Sequence, residues 1–263
     1  MEINGIEGIK TFLTSLSLTL PRIGGLFALL PFMGTQVIPG MVRMCLAMSL
    51  ALLALPSVYH GLLQMPVTIE QILPLVMKEI FIGLLMSFFC ASLFWAAGSL
   101  GFFLDNQRGA TISSSLNPMT GVEDSPISTL MGQAMIALFV TAGGFDILAG
   151  IIFKSYALWP VLAFWPSLQI SGTSAFLQQM DAVMKFAVVL AAPVVLAMTL
   201  AELGLAFINR FAQQLQVFYL AMPVKSAICM LVLALYTPFL VDYIFREIDL
   251  LRRVPLVIAP LMR

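Results

Sequence analysis

Residues 80–104 read IFIGLLMSFFCASLFWAAGSLGFFL, an apolar run that contains no Asp, Glu, Lys, Arg or His. A helix needs about 20 predominantly apolar residues to cross the hydrocarbon core of a bilayer. Strands of an outer-membrane barrel are shorter, about ten residues, and alternate between apolar and polar positions. The run is too long and too uniformly apolar for such a strand. We therefore predict that it forms a transmembrane helix.

Five further stretches share this apolar character and reach or approach the same length: 11–33, 41–59, 127–153, 183–208 and 217–241. Of the 263 residues in the chain, 60% are hydrophobic and 10% are charged, whereas about a quarter of the residues in soluble domains are charged. We predict an all-α integral membrane protein with six spans. The acidic N-terminal stretch MEINGIEGIK differs from the basic start of a cleavable signal peptide, so we expect the first apolar stretch to be retained.

Most of the predicted helices carry residues that a lipid-facing helix avoids. Prolines lie within or at the ends of the stretches, at Pro21, Pro31, Pro56, Pro193, Pro223 and Pro238. Ionisable side chains lie inside or near their margins, at Arg22, Arg43, Lys78, Glu79, Asp146, Lys185, Glu202 and Lys225. Each charge that faced lipid would cost roughly 3 kcal/mol, so these groups must face protein, water or lipid headgroups.

The depth of each charged residue in its stretch decides between these surroundings. Lys78 and Lys185 lie near helix ends, and we expect their side chains to snorkel to the interface. Arg22, Glu202 and Lys225 lie deeper, and we expect them to form buried pairs or to line a water-filled path.

Small residues and cysteines indicate how the helices pack. We expect helix backbones to approach closely at two clusters of small residues. These clusters are Ala96, Ala97, Gly98, Ser99 and Gly101, and the pair Gly143 and Gly144. Cys45, Cys90 and Cys229 lie far apart in apolar runs, and we interpret them as buried packing residues.

The sequence offers little chemistry for catalysis. His60 is the only histidine, so a multi-histidine metal site cannot be built, and we expect His60 on the surface and not in a catalytic triad. Asp146 and Glu202 are acids available for an aspartyl-type intramembrane site, but no pocket motif surrounds them. The net charge is zero and the 13 basic residues are dispersed, so we expect no nucleic-acid binding. We predict no enzyme activity, no metal and no cofactor.

Two functional classes remain open, a small-solute secondary transporter and a subunit of a larger membrane assembly. Transporters use helices broken by proline and glycine in corresponding halves of the chain. Residues 20–32 faintly match residues 222–239 through a Pro-basic start and a Pro-Phe end, which is weak support for a transporter.

Basic residues are distributed unevenly along the chain. Arg246, Arg252, Arg253 and Arg263 lie near the C-terminus, whereas Arg108 is the only basic residue in the polar segment 105–128. Because basic flanks stay on the cytoplasmic side, we predict a cytoplasmic C-terminus. An even number of spans would place the N-terminus there too.

Residues 201–228, AELGLAFINRFAQQLQVFYLAMPVKSAI, resemble the signature of the T component of the type III secretion export apparatus, the SctT family, whose flagellar counterpart is FliR. Further matching segments are PRIGGLF (21–27), PFMGTQVIPGMVR (31–43), KEIFIGLLM (78–86) and GATISSSLNPMTGVEDSPIS (109–128). Gln213 departs from the family pattern, which often has proline there. The sequences of residues 109–128 and 214–226 are more similar to the injectisome branch of the family, which serves virulence, than to the flagellar branch.

The resemblance implies a subunit of the export gate in the bacterial inner membrane, through which unfolded secreted proteins pass. It implies assembly with R and S subunits, proximity to the U and V components, and contact with membrane lipid. It further implies tilted, kinked helical hairpins that resemble an R-type chain, about 1–170, joined to an S-type hairpin with a basic tail, about 171–263. No catalysis or cofactor is expected of this subunit.

By the same resemblance, residues 105–128 form a plug loop that closes the channel. The expected plug residues are Asp105, Gln107, Arg108, Gly109, Ser113, Ser114, Ser115, Pro118, Gly121 and Pro126. A segment with this many glycines and prolines cannot be a continuous helix, and its polar groups cannot face lipid. The alternative is a solvated connection between two helices.

A second group of residues is expected to support assembly through buried polar contacts. Its members are Arg22, Arg43, Glu79, Glu202, Asn209, Arg210, Gln213, Gln216, Pro223 and Lys225. Within this group, Asn209, Gln213 and Gln216 would share one helical face by their spacing, and interhelical hydrogen bonding is their natural use.

Overall fold

The computed structural model describes residues 5–34, 37–64, 67–109, 125–163, 173–211 and 217–258. These residues form α1 (Gly5–Ala28), α2 (Gly40–Gln64), α3 (Ile69–Arg108), α4 (Pro126–Thr141), α5 (Gly144–Leu158), α6 (Thr173–Phe211), α7 (Val217–Leu250) and α8 (Val254–Ile258). Short 3₁₀ turns cover Pro31–Met33 and Leu251–Arg253. The described part of the chain contains no strand, and the predicted all-α fold is confirmed.

The predicted helix over 127–153 is wrong, because two helices occupy this stretch. Ala142 and Gly143 separate the end of α4 from the start of α5. Gly143 lies at the break with φ of 75°, in the left-handed region that side chains rarely adopt. A Cβ on Gly143 would meet no atom within 4 Å. Gly143 therefore turns the chain, and our expectation of close backbone packing at this residue is also wrong.

The number of spans differs from the predicted six. Among the described residues, four segments are long and apolar enough to cross a membrane, Gly40–Gln64, Glu70–Arg108, Phe176–Phe211 and Leu220–Ile258. The bent pair α4 and α5 would make a fifth if it counts as one span. The first predicted stretch fails because α1 ends at Ala28 and is rich in Ser, Thr and charged residues. The protein is thus a multi-pass membrane protein with four or five candidate spans.

The chain folds into two compact units. The first comprises Met1–Ser92, Gly143–Gln179 and Asp249–Arg263, and the second comprises Leu93–Ala142 and Met180–Ile248. Within the first unit α1 packs on α2, and α1 crosses α3 where Gly25 meets Gly83. A Cβ on Gly83 would overlap the carbonyl oxygen of Arg22 and would lie 3.0 Å from the Gly25 Cα.

In the second unit α4 packs on the last turns of α3. A Cβ on Gly101 would overlap the backbone of Ser128, and the Ser128 hydroxyl donates to the Gly98 carbonyl at 2.8 Å. The rings of Phe94 and Phe139 lie edge to face with centroids 5.2 Å apart. The predicted close approach of helix backbones is confirmed at Gly101.

The cysteines and the histidine test the packing predictions further. Cys90 and Cys229 are buried as predicted, but Cys45 on α2 is exposed, so the interpretation of Cys45 as a buried packing residue is wrong in this chain. His60 is exposed, which confirms its predicted surface position.

Candidate functional site

The structure describes half of the predicted plug residues. Asp105, Gln107 and Arg108 lie in the last turn of α3, Gly109 follows that helix with φ of 83°, and Pro126 is the first residue of α4. The predicted segment is therefore helical at both of its ends. Ser113, Ser114, Ser115, Pro118 and Gly121 lie outside the described residues.

Asp105 joins the two chain ends that flank this segment, and we call Asp105, Arg108, Ser125 and Ile127 the loop stem. The Asp105 carboxylate is fully buried. Its Oδ2 accepts hydrogen bonds from the Ser125 hydroxyl at 2.6 Å and from the Ile127 backbone N–H at 2.8 Å. Its Oδ1 accepts from Arg108 Nε at 2.7 Å. One carboxylate thereby connects the end of α3 to the start of α4.

The loop stem places a favourable charge at each of two helix ends, a carboxylate at the start of α4 and a guanidinium at the end of α3. Carboxylates are favoured at a helix N-terminus, where the first N–H groups lack partners. Pro126 has no N–H, so the Ile127 N–H is the first free donor of α4, and Asp105 accepts it. Ser125 makes no side-chain cap of its own. The negative charge is unfavourable at the C-terminal end of α3, and the Arg108 guanidinium compensates it there.

Lys225 and Glu202 form an ion pair beside the same helix end. Lys225 Nζ lies 2.8 Å from Glu202 Oε2 and donates to the Gln107 carbonyl at 3.3 Å. The Lys225 side chain is 12% exposed and that of Glu202 is 50% exposed. The two residues that were expected to lie in buried pairs or along a water-filled path thus form an ion pair with each other, but Glu202 is not buried.

The first unit contains a buried charge cluster, which we define as Arg22, Lys78 and Glu79. Arg22 and Glu79 are both fully buried. The Arg22 guanidinium donates to the two Glu79 oxygens at 2.5 and 3.0 Å, to the Ser155 hydroxyl at 3.2 Å and to the Trp159 carbonyl at 2.9 Å. It also lies 4.2 Å above the Tyr156 ring, a favourable cation–π contact. The predicted burial and pairing of Arg22 are confirmed.

Lys78 completes the buried charge cluster. Its Nζ lies 3.0 Å from Glu79 Oε1 and donates to the carbonyls of Val161 and Ala163 at 2.6 and 2.9 Å, with a longer contact to the Pro160 carbonyl at 3.4 Å. The Lys78 side chain is 4% exposed, so the predicted snorkelling is wrong. The ammonium finds protein acceptors because the turn after α5 directs several carbonyls towards it.

The remaining predicted assembly residues are less involved in contacts. Arg43 is half-buried and donates to the Met33 carbonyl at 3.3 Å. Asn209 and Arg210 are exposed in the last turn of α6, and Pro223 is exposed within α7. Gln213 and Gln216 lie outside the described residues, so the predicted polar face stays a prediction.

Sequence reasoning missed the partners of these charged groups. Ser125 followed by Pro126 is a typical helix start, but nothing local indicates that Asp105, twenty residues earlier, accepts its hydrogen bond. Ser155 and Tyr156 read as ordinary positions in an apolar helix. Among the described residues, no group of three or more His, Cys, Asp or Glu side chains is arranged to hold a metal ion.

Known proteins are similar in sequence to this chain over most of its length. Residues 13–251 match the family described as bacterial export proteins, family 1. Yop proteins translocation protein T of Yersinia pestis is 41% identical over 229 residues, which cover 87% of each chain. Surface presentation of antigens protein SpaR of Salmonella typhimurium is 33% identical over 241 residues, 90% of this chain and 89% of that protein.

A flagellar protein is also similar. Flagellar biosynthetic protein FliR of Caulobacter vibrioides is 23% identical over 220 residues, 83% of this chain and 86% of that protein. The family match over residues 13–251 extends across both compact units, and the loop stem and the buried charge cluster lie within that range. The chain therefore belongs to family 1 of the bacterial export proteins, which confirms the resemblance that its sequence motifs indicated.

Proposed function

We propose that this chain is a structural and gating subunit of a type III protein export gate in the bacterial inner membrane. The match to the export-protein family over residues 13–251 supports this role. So do the identities of 41% and 33% to a translocation protein and to SpaR. The lower identity of 23% to a flagellar FliR favours the injectisome branch. The subunit has no catalysis of its own and takes no cofactor.

The proposed partners are the R and S subunits of the gate, with the U and V components nearby. Ionised groups in a membrane protein need protein or water around them. Exposed charges such as Glu202 and Arg210, and large exposed side chains such as Phe211, which is 88% exposed, would find that surrounding against sister subunits. The division into an R-like part and an S-like part near residue 170 belongs to the same proposal.

We infer that the segment between α3 and α4 is the plug of this gate. The hydrogen bonds that Asp105 accepts in the loop stem are the observation that supports the inference. A buried carboxylate that holds Ser125 and the Ile127 N–H fixes both ends of the segment in one place. The sequence of this segment is rich in small polar residues, and a segment of that composition can be displaced and can return at little cost in apolar burial.

The intact mass of the purified complex tests the proposed function. Detergent extraction with a tag on this chain should recover one copy of it together with two different small membrane proteins, and unfolded substrate should cross membranes that contain the complex. A monomer or a symmetric homo-oligomer of this chain would contradict the proposal and would favour a small-solute transporter.

Deletion of residues 110–122 tests the plug in the same preparation. The deletion keeps Asp105 and Ser125, so the complex should assemble with unchanged mass but should leak small ions when reconstituted into liposomes. Asp242→Asn is the matched control, because it removes an exposed ion pair with Arg246 on α7 and should leave the membrane sealed. A sealed membrane after the deletion would contradict the plug.

A further inference from the structure

The turn that follows α5 directs its backbone carbonyls at two cationic side chains. The Trp159 carbonyl accepts from Arg22 at 2.9 Å. The carbonyls of Val161 and Ala163 accept from Lys78 at 2.6 and 2.9 Å. A buried carbonyl that lacks a donor costs free energy. The turn therefore depends on donors that distant parts of the chain supply.

The charges of the buried charge cluster show that Lys78 has a use besides pairing with Glu79. Arg22 already donates to both Glu79 oxygens and neutralises that carboxylate. Lys78 adds a second cation beside the same carboxylate, so the cluster holds more positive than negative charge. Excess charge in a protein interior is unfavourable unless other polar groups compensate it. The carbonyls of the turn are the groups that compensate it here.

Four oxygens surround the Lys78 nitrogen, and we call them the ammonium cage. They are the carbonyl oxygens of Val161, Ala163 and Pro160 and the Glu79 Oε1, at 2.6, 2.9, 3.4 and 3.0 Å from Nζ. The three shorter distances match the three N–H donors of an ammonium group, whereas a neutral amine has two. The cage therefore fits a charged primary amine.

Contacts that do not involve Lys78 hold both sides of the ammonium cage. Arg22 fixes the Glu79 carboxylate. On the side of the turn, the Val161 side chain is buried, and Leu162 packs where α2 has a glycine. A Cβ on Gly61 would lie 2.9 Å from Leu162 Cδ1. The cage oxygens should therefore stay close together when the Lys78 side chain is shortened.

We propose that the ammonium cage is a binding site for a primary ammonium group. Lys78 is its built-in ligand and a positioning residue that holds the turn after α5 against α3. If Lys78 were merely a spare partner of Glu79, an apolar side chain of similar length would serve as well. All residues of the site belong to the first compact unit, and the proposal goes beyond the gate function without depending on it.

Replacement of the ammonium group by a small amine tests the site. Lys78→Ala removes the cation and leaves space beside the cage. The midpoint of thermal unfolding of the detergent-solubilised protein should fall by roughly 5 °C or more, because charge-assisted hydrogen bonds to the turn are lost. Ethylammonium chloride should restore most of this loss as its concentration rises, as a ligand of the folded state does.

Two salts and two variants serve as controls. Sodium chloride and tetramethylammonium chloride at the same concentration lack N–H donors and should not restore Lys78→Ala. Lys154→Ala removes an exposed lysine on α5, so its midpoint should change little and should not respond to ethylammonium. Lys78→Met lacks the cation but fills the space with its own side chain, so its midpoint should be lowered and should not be restored.

A second comparison decides the question if Lys78→Ala does not fold. Lys78→Arg keeps a cation with N–H donors at the cage and should unfold at a higher temperature than Lys78→Met. An Arg variant that is no more stable than the Met variant would overturn the site.

Ethylammonium that raises the midpoint of Lys78→Ala, but not that of Lys154→Ala or Lys78→Met, supports the site. A Lys78→Ala protein that is as stable as the natural one, or that ethylammonium does not stabilise, overturns it. The gate function is decided separately, by the mass of the complex and the liposome leak.

Discussion

Arg22 is fully buried, and each of its three guanidinium nitrogens donates a hydrogen bond. Two bonds go to Glu79, one each to Ser155 and Trp159, and the Tyr156 ring covers one face. Only arginine has the planar set of donors that this arrangement uses. Removing one partner of a buried pair costs about 3–5 kcal/mol where the other charge is left uncompensated, but here Lys78 stays 3.0 Å from Glu79 and lowers that cost.

Arg22→Leu should therefore lower the free energy of unfolding by about 1–3 kcal/mol, because buried acceptors on Glu79 and Trp159 lose their donor, and it should impair assembly and secretion. Arg22→Lys should give an intermediate loss, because an ammonium cannot bind both Glu79 oxygens in the same geometry. Denaturation of the detergent-solubilised complex measures the effect. Arg246→Leu is the control, since the Arg246–Asp242 pair is exposed and should contribute less than about 1 kcal/mol. Equal losses in Arg22→Leu and Arg246→Leu would contradict this account.

The charged residues mark the limit of prediction from sequence. The cost of a charge in lipid predicted that Arg22, Glu202 and Lys225 form buried pairs or line a water-filled path, and the structure shows a fully buried pair for Arg22. The same reasoning failed for Lys78, because its acceptors are carbonyls more than eighty positions away. A sequence shows which side chains need partners. It does not show where the backbone supplies them.

Helix α3 depends on glycine where α1 crosses it. Gly83 has no room for a methyl group, since a Cβ would overlap the Arg22 carbonyl oxygen and meet the Gly25 Cα. Close backbone contact lets helices gain van der Waals attraction along their length. The contact also sets the height at which Arg22 faces Glu79, so it supports the buried charge cluster.

Gly83→Ala should destabilise the protein by roughly 1–3 kcal/mol, the usual cost of overpacking, and should loosen the Arg22–Glu79 pair. The matched control is Gly24→Ala on α1, where a Cβ would meet nothing within 4 Å and helix propensity favours alanine by up to about 1 kcal/mol. Thermal unfolding of the two variants in the same detergent compares them. Equal stability would mean that α1 and α3 do not pack as described.

Hydropathy predicted the positions of most helices but not their direction. Residues 41–59, 80–104 and 183–208 all lie within helices of the structure. The stretch 127–153 is as apolar as the others, yet it bends at Gly143, where a left-handed backbone conformation ends α4. A hydropathy profile contains no information on backbone dihedral angles. The glycine pair was visible in the sequence, but packing and turning are both typical uses of glycine.

The residues that the structure describes contain four or five candidate spans, and these do not give the even count of six from which the N-terminus was placed. The basic residues near the C-terminus still favour a cytoplasmic end for the chain. Arg246 and Arg252 are exposed there, and each is paired with an acid on its own helical turn. Arg252 also lies 3.8 Å from Asp146.

We therefore expect a fluorescent protein fused to the C-terminus to fluoresce, and alkaline phosphatase fused at the same position to be inactive. The first reporter matures only in the cytoplasm and the second only outside it, so each is the control for the other. Active phosphatase with a dark fluorescent fusion would place the C-terminus outside and contradict the positive-inside argument.

Because Cys45 is exposed, thiol labelling of the natural sequence can report what surrounds this side of α2. All three cysteines lie in the described residues, and Cys90 and Cys229 are buried while Cys45 is exposed. Alkylation requires thiolate, which forms in water and not among acyl chains. A polar maleimide would therefore modify Cys45 only where water reaches α2. Protection of Cys45 in the intact complex that is lost when this chain is alone in the same detergent would identify this side of α2 as covered by a neighbouring polypeptide.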